Sequence, residues 1–167
     1  DPANKRKSGY FVVDPLSLFY YRYVFRNASA RQLLDPDVFY DRHVLQDFEE
    51  NYVPHMFEEI CRQYLVRQNR AGKIEPPFDA IGKYWYDNPA NKTSGEFDVV
   101  TQDPEGYVFY EAKFRKSPIT QKMVDEEITQ VEATGLKCHR YGFFSRSGFD
   151  ADESDQVAFI DLSQMFE

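Results

Sequence analysis

The sequence predicts a mixed α/β (α+β) domain: a central mixed sheet flanked by helices, with a helical appendage at the N-terminus. Three observations carry this expectation. Aromatic residues make up 17% of the 167-residue chain, from 15 Phe, 12 Tyr and a single Trp, which favours a core with strands over a bundle of Leu and Ala. The apolar spacing is helical before Pro76-Pro77 and extended after it. The order of elements is then helix, three strands, helix, strand and a short last element, the pattern of one layered α/β or α+β domain.

Each element has a local reason. Gly9-Tyr10-Phe11-Val12-Val13-Asp14-Pro15 has the pattern of a strand end followed by a helix start. Leu16 to Arg26 is a helix apolar nearly all round, which requires cover on more than one face. Asp35-Pro36-Asp37 starts the next helix, with Asp35 as N-cap and Pro36 at the first helical position. The longest helix spans about Asn51 to Arg70. Pro54 is tolerated in its first turn, and Gly72 follows its end. Met56, Phe57, Ile60, Cys61 and Tyr64 recur at spacings of three and four and form its buried face.

Strands are expected over Phe78–Tyr86, Gly95–Gln102 and Tyr107–Phe114, the last two joined by the turn Asp103-Pro104-Glu105-Gly106. A helix over 119–134 closes at Gly135, and Lys137–Ser145 is a fourth strand. Val157–Leu162 fits a strand or a short helix equally. The expected division is an appendage over 1–34 and a domain over 35–167.

Composition excludes several classes. No apolar run reaches the ~18 residues of a membrane span, and the N-terminus lacks the apolar stretch of a signal peptide. A soluble, cytoplasmic protein is therefore expected. Cys61 and Cys138 are too few for a disulfide framework and read as buried free thiols. His43, His55 and His139 form no zinc motif. The net charge of −8 argues against coating nucleic acid by bulk electrostatics. The acidity is local: residues 32–60 carry one Arg against eight acids, and residues 150–167 carry six acids and no base. Solvated surface is the plain reading of both blocks.

Glu58, Asp98, Glu111 and Lys113 are the candidates for chemistry. If the Asp103–Gly106 turn sets Gln102 opposite Tyr107, then Val100 faces Phe109 and Asp98 faces Glu111. Alternation then puts Asp98, Glu111 and Lys113 on one sheet face. Two carboxylates directly opposite each other repel, so a cation is expected between them, and a divalent metal suits their oxygens. A bulge in the hairpin would break this register. Glu58 aligns with Cys61 and Leu65 at the edge of the buried helix face, whereas Glu59 aligns with Arg62 and Gln63 on the wetter side. Three carboxylates and a lysine suit metal-dependent phosphodiester hydrolysis. Glu111-Ala112-Lys113 alone is a common surface pattern.

With these residues in place, the chain resembles the PD-(D/E)xK nuclease superfamily over about residues 47–145. Glu58 matches the helix acid, Asp98 the strand aspartate, and Glu111-Ala112-Lys113 the (D/E)xK element. Phe97 stands where the superfamily usually has Pro before the aspartate. More narrowly, the chain resembles the C-terminal nuclease-like domain of unassigned function on archaeal and bacterial AAA-type ATPases. Tyr10–Asp14, Phe19–Tyr23, Phe57–Ile60, Ile81–Trp85 and Gly95–Val100 carry that likeness.

The resemblance implies a restriction-endonuclease-like core, with Glu58, Asp98 and Glu111 holding Mg²⁺ or Mn²⁺ and Lys113 assisting the nucleophile. It implies a preceding ATPase and winged-helix region, where ATP would bind and of which residues 1–34 would be the tail. Arg115, Lys116 and Lys122, with help from Arg62, Arg67 and Arg70, are the basic residues for nucleic-acid phosphates. The expected partners are nucleic acid, that ATPase region and a second copy of the chain, with no membrane. The alternative is an inactive nuclease-like fold serving the ATPase as a binding or regulatory module.

Overall fold

The computed structural model describes residues 12, 14–88 and 93–166. Residues 9–11 and 13 of the expected first strand end lie outside the described residues. The contacts divide the chain into two compact units, Asp1–Val53 and Pro54–Glu167. The division thus falls later than the expected boundary at 34/35, because residues up to Tyr52 are tied to the first helices.

The first unit is helical. Asp14 caps α1 (Pro15–Phe19), its Oδ2 accepting from the Ser17 amide at 2.6 Å. The expected Leu16–Arg26 α-helix is instead α1 followed by a wider π-helical turn over Tyr20–Phe25. Then come α2 (Ala28–Leu33), α3 (Pro36–His43), the short α4 (Leu45–Asp47) and a second π turn over Phe48–Tyr52. Asp35 caps α3 and Pro36 begins it, as expected. The Phe19, Tyr23, Phe48 and Tyr52 rings pack together, Phe48 stacking on Tyr52 at 5.4 Å. Tyr52 donates its hydroxyl to the Pro15 carbonyl at 2.6 Å. Tyr23 is buried, while Leu16, Tyr20, Tyr21 and Phe25 are exposed. The helix expected to need cover on several faces has it on one.

The second unit is built on a five-stranded sheet, ordered β1-β2-β3-β5-β7. β1 (Ala80–Asn88), β2 (Thr93–Asp103) and β3 (Gly106–Lys113) run antiparallel in sequence. β5 (Cys138–Ser145) and β7 (Val157–Asp161) add in parallel beyond β3. β4 (Ile119–Thr120) and β6 (Phe149–Asp150) form a small separate pair. The helices are α5 (Val53–Arg70) and α6 (Gln121–Glu132). The ambiguous C-terminal segment is both things in turn: β7, then a 3-10 helix over Leu162–Phe166.

Strand alternation gives the sheet two apolar faces. Val99, Val108, Tyr110 and Phe144 join Phe57, Cys61 and Leu65 of α5, with Phe78 and Met165. Phe97, Val100 and Phe109 join Val131 of α6. Ile119, Val124 and Phe143 make a further cluster. The β2–β3 turn is tight: Asp103 Oδ1 accepts from the amides of Glu105 (2.8 Å) and Gly106 (3.1 Å). Gly106 has φ +146°, and a Cβ there would lie 2.3 Å from the Lys137 carbonyl oxygen, so only glycine fits.

The register set by that turn is the expected one: Gln102 faces Tyr107, Val100 faces Phe109 and Val99 faces Tyr110. The ladder stops there, and Asp98 does not pair with Glu111. The cause lies on the other edge of β2. Gly82 faces Val100 but Tyr84 faces Phe97, so Asp98 and Val99 together oppose Lys83, which is a β-bulge.

Candidate functional site

The end of the β2–β3 ladder is where the candidate residues meet. With its backbone displaced by the bulge, Asp98 uses its side chain instead: Oδ2 accepts from the Ala112 amide at 3.0 Å. Two residues of β3 flank that amide. Glu111 is buried, and Lys113 donates to its Oε1. Residues 109, 111 and 113 share a face of β3, and Phe109 places that face towards α6.

α6 supplies a residue that the sequence reading missed. Glu127 lies three positions after buried Val124 and four before buried Val131, so the helical period turns it to the sheet. That same spacing would have revealed it.

The electrostatics of the cluster are one-sided. Burial pushes the Glu111 carboxyl up to about 8, and the charges of Asp98 and Glu127 add to this. Burial likewise raises Asp98, and Glu58 adds to the rise, although the Ala112 amide opposes it. Glu127 is raised first by burial, with Asp98 contributing and Lys113 opposing. Burial disfavours the Lys113 ammonium too, but Glu111, Asp98 and Glu127 outweigh it and hold its pKa above the ordinary value. One buried and two half-buried carboxyl groups thus surround Lys113, with Lys83 also acting on Asp98, and ionising all three acids gathers negative charge in a poorly solvated place.

Glu58 of α5 is within electrostatic reach of Asp98, but its bonds go elsewhere. Lys83 Nζ donates to Glu58 Oε2 at 2.8 Å and to Glu96 Oε1 at 2.7 Å, and His55 Nδ1 lies 3.5 Å from the same Glu58 oxygen. Burial works against the Lys83 charge, yet the two carboxylates hold its pKa up. Lys83, Glu96 and His55 were also missed, since the contact of α5 with the bulged strand pair has no short sequence motif.

The basic candidates separate into two groups. Arg115 and Lys116 are exposed just after Lys113, Arg115 Nε donating to Ser117 Oγ at 2.9 Å. Lys122, exposed on α6, lies 3.6 Å from Glu126. Arg62 is bidentate to Glu59, and Arg67 is bonded to the Met165 carbonyl, so those two are committed locally. Arg70 is exposed in the last turn of α5.

The oxygen donors of Asp98 and Glu111 suit a hard divalent cation. Among the described residues, no group of three His, Cys, Asp or Glu side chains is arranged to hold a metal ion, and Glu58 is bonded to Lys83.

Residues 20–131 match the model of DUF234, described as archaeal and bacterial proteins of unknown function. The chain belongs to this family. The matched span of this DUF234 chain contains Glu58, Lys83, Asp98, Glu111, Lys113 and Glu127. The uncharacterized protein MJECL04 of Methanocaldococcus jannaschii is 27% identical over 86 residues, 52% of this chain and 19% of its own length. The chain thus corresponds to about a fifth of that relative. The crystal structure of AF1548, a protein of unknown function, superposes with a TM-score of 0.41 at 15% identity, covering 62% of this chain and 59% of the other. No described helix is long and apolar enough to cross a membrane.

Proposed function

We propose that the second unit is a metal-dependent nuclease-like domain acting on nucleic-acid phosphodiesters in the cytoplasm, in concert with an ATPase region. What supports this is the gathering of Asp98, Glu111 and Glu127, from two strands and a helix, near the Lys113 ammonium, which donates to Glu111. Such crowding is costly unless a further cation is bound. Asp98 and Glu111 would hold Mg²⁺ or Mn²⁺, with Glu58 joining them once released from Lys83. The bound metal would polarise the phosphate and lower the pKa of a water. Lys113, kept protonated by its acids, steadies the charge that develops on the reacting oxygens. Arg115 and Lys116 adjoin the cluster and offer contacts to flanking phosphates.

The test pairs two readouts. Millimolar Mn²⁺ should raise the melting temperature, because a ligand of the folded state stabilises it by mass action, and it should support cleavage of labelled nucleic acid. Asp98→Asn should remove both effects. Lys113→Ala should retain the thermal shift and lose cleavage. A wild-type melting curve unchanged by Mn²⁺ would overturn the reading.

One observation favours a second reading, an inactive module that serves the ATPase through binding. The closed Glu58–Lys83–Glu96 set with His55 leaves the helix acid already satisfied by protein groups. That reading predicts neither a metal shift nor cleavage.

A further inference from the structure

The first unit has a groove of its own. It holds about 740 Å³, and Tyr21, Arg22, Arg26, Arg42, His43 and Asp47 are among the residues that line it. That volume lies within the usual range for a ligand site.

Its charge is segregated. Residues 1–53 carry seven Lys/Arg against eight Asp/Glu, so the unit as a whole is nearly neutral. Yet three of those bases line the groove against one acid, Asp47. Asp47 is already neutralised. Arg22 Nε and Nη2 bind its two oxygens at 2.6 and 2.8 Å, and the Tyr23 hydroxyl donates to it at 2.7 Å. The Arg22 guanidinium holds its carboxyl well below the ordinary range. Arg26 and Arg42 are exposed and pair with no carboxylate among the described residues. Both line the groove, as does His43. The Tyr21 ring, 58% exposed, stands at the groove, held edge-on against Tyr20 and Phe25 at 5.4 and 5.6 Å.

Guanidinium groups are matched to phosphate oxygens. Exposed arginines beside an exposed aromatic ring form the combination that tracks a single strand, the arginines taking phosphates and the ring a base. We infer that this groove is a binding site for single-stranded nucleic acid, with Arg26 and Arg42 as the phosphate contacts and Tyr21 as the stacking platform. The inference rests on the first unit alone and does not require the second unit to hydrolyse anything.

The experiment is fluorescence anisotropy of a labelled 12-nucleotide oligothymidylate with the full chain, at low salt and in EDTA. The wild type should bind. The Arg26→Ala/Arg42→Ala double variant should bind about tenfold more weakly, and its log K against log salt slope should fall by about 1.4, the loss of two single-strand phosphate contacts. Tyr21→Ala should weaken binding about fivefold or more without changing the slope. Arg31→Ala, an exposed base on α2 that does not line the groove, should leave binding unchanged, and all variants should keep the wild-type melting temperature. No wild-type binding, or equal loss in Arg31→Ala and the double variant, would overturn the inference. So would loss only in an Arg115→Ala/Lys116→Ala variant, which would place binding on the second unit and leave the nuclease reading standing. Competition by pyrophosphate as strong as by unlabelled oligonucleotide would reduce the site to one for free phosphate and overturn the strand assignment.

Discussion

Glu111 is the residue at which burial and charge most directly oppose each other. It is 8% exposed, and its pKa is pushed to about 8 by burial and by Asp98 and Glu127. Glu111→Gln removes one acid from the crowd while keeping the shape. It should therefore raise the metal-free melting temperature at pH 8, measured in EDTA, and abolish the Mn²⁺ shift. Lys83 makes the complementary test. In Lys83→Ala, Glu58 and Glu96 lose their shared cation. The pair is part-exposed, so solvent screening limits the loss to about 1 kcal/mol. If Glu58 is the third metal ligand, the same variant should bind Mn²⁺ more tightly than wild type, as read from the thermal shift against metal concentration. A variant that is only less stable, with unchanged metal response, would make Lys83 a structural ion-pair partner and nothing more.

The elements carry a prediction of their own at Gly142 of β5. A Cβ there would lie 2.2 Å from Tyr110 Cδ1 on the adjoining strand, and Tyr110 is buried. Gly142→Ala forces the ring to move within a packed core and should cost about 1–3 kcal/mol, seen as a lower denaturation midpoint. This contact depends on how β3 and β5 pair, which no local pattern announces. Features with local causes were legible: the Asp35-Pro36 helix start, the period of α5, and the hairpin register fixed by Asp103-Pro104-Glu105-Gly106. The candidate site was legible as far as its residue types. The facing of Asp98 and Glu111 failed because the bulge is a two-strand property: Lys83 of β1 decides whether one or two β2 residues stand opposite it. Glu127 stands in the acidic run Asp125-Glu126-Glu127, and only its helical spacing from Val124 and Val131 marks it as the acid turned to the sheet. The segment 157–162 stayed ambiguous because a five-residue parallel strand running into a 3-10 turn is too short to show either period.

For the whole molecule, the acids of the second unit set a pH dependence with a definite sign. Glu111, Asp98 and Glu127 all have pKa values raised on folding. Between the ordinary carboxyl pKa of 4.5 and the value of about 8 for Glu111, the folded state holds a proton that the unfolded chain has released. Stability must then fall as pH rises through that window. Asp103 acts in the opposite direction. Burial alone would raise it, but His139 at 2.9 Å and the amides of Glu105 and Gly106 hold it below its usual 3.8. Its contribution is present above that pH and is lost as pH falls through the folded value. In EDTA the melting temperature should therefore peak near about pH 5 and decline towards about pH 8. A divalent cation binds the ionised acids, so it competes with their protons. The Mn²⁺-induced shift should grow with pH over the same window, and Glu111→Gln should flatten both trends. Melting curves at four pH values, each with EDTA and with Mn²⁺, decide this. A melting temperature that climbs steadily to pH 8 in EDTA would mean that the three carboxyl groups are not crowded in the folded protein, and the metal reading would lose the observation on which it stands.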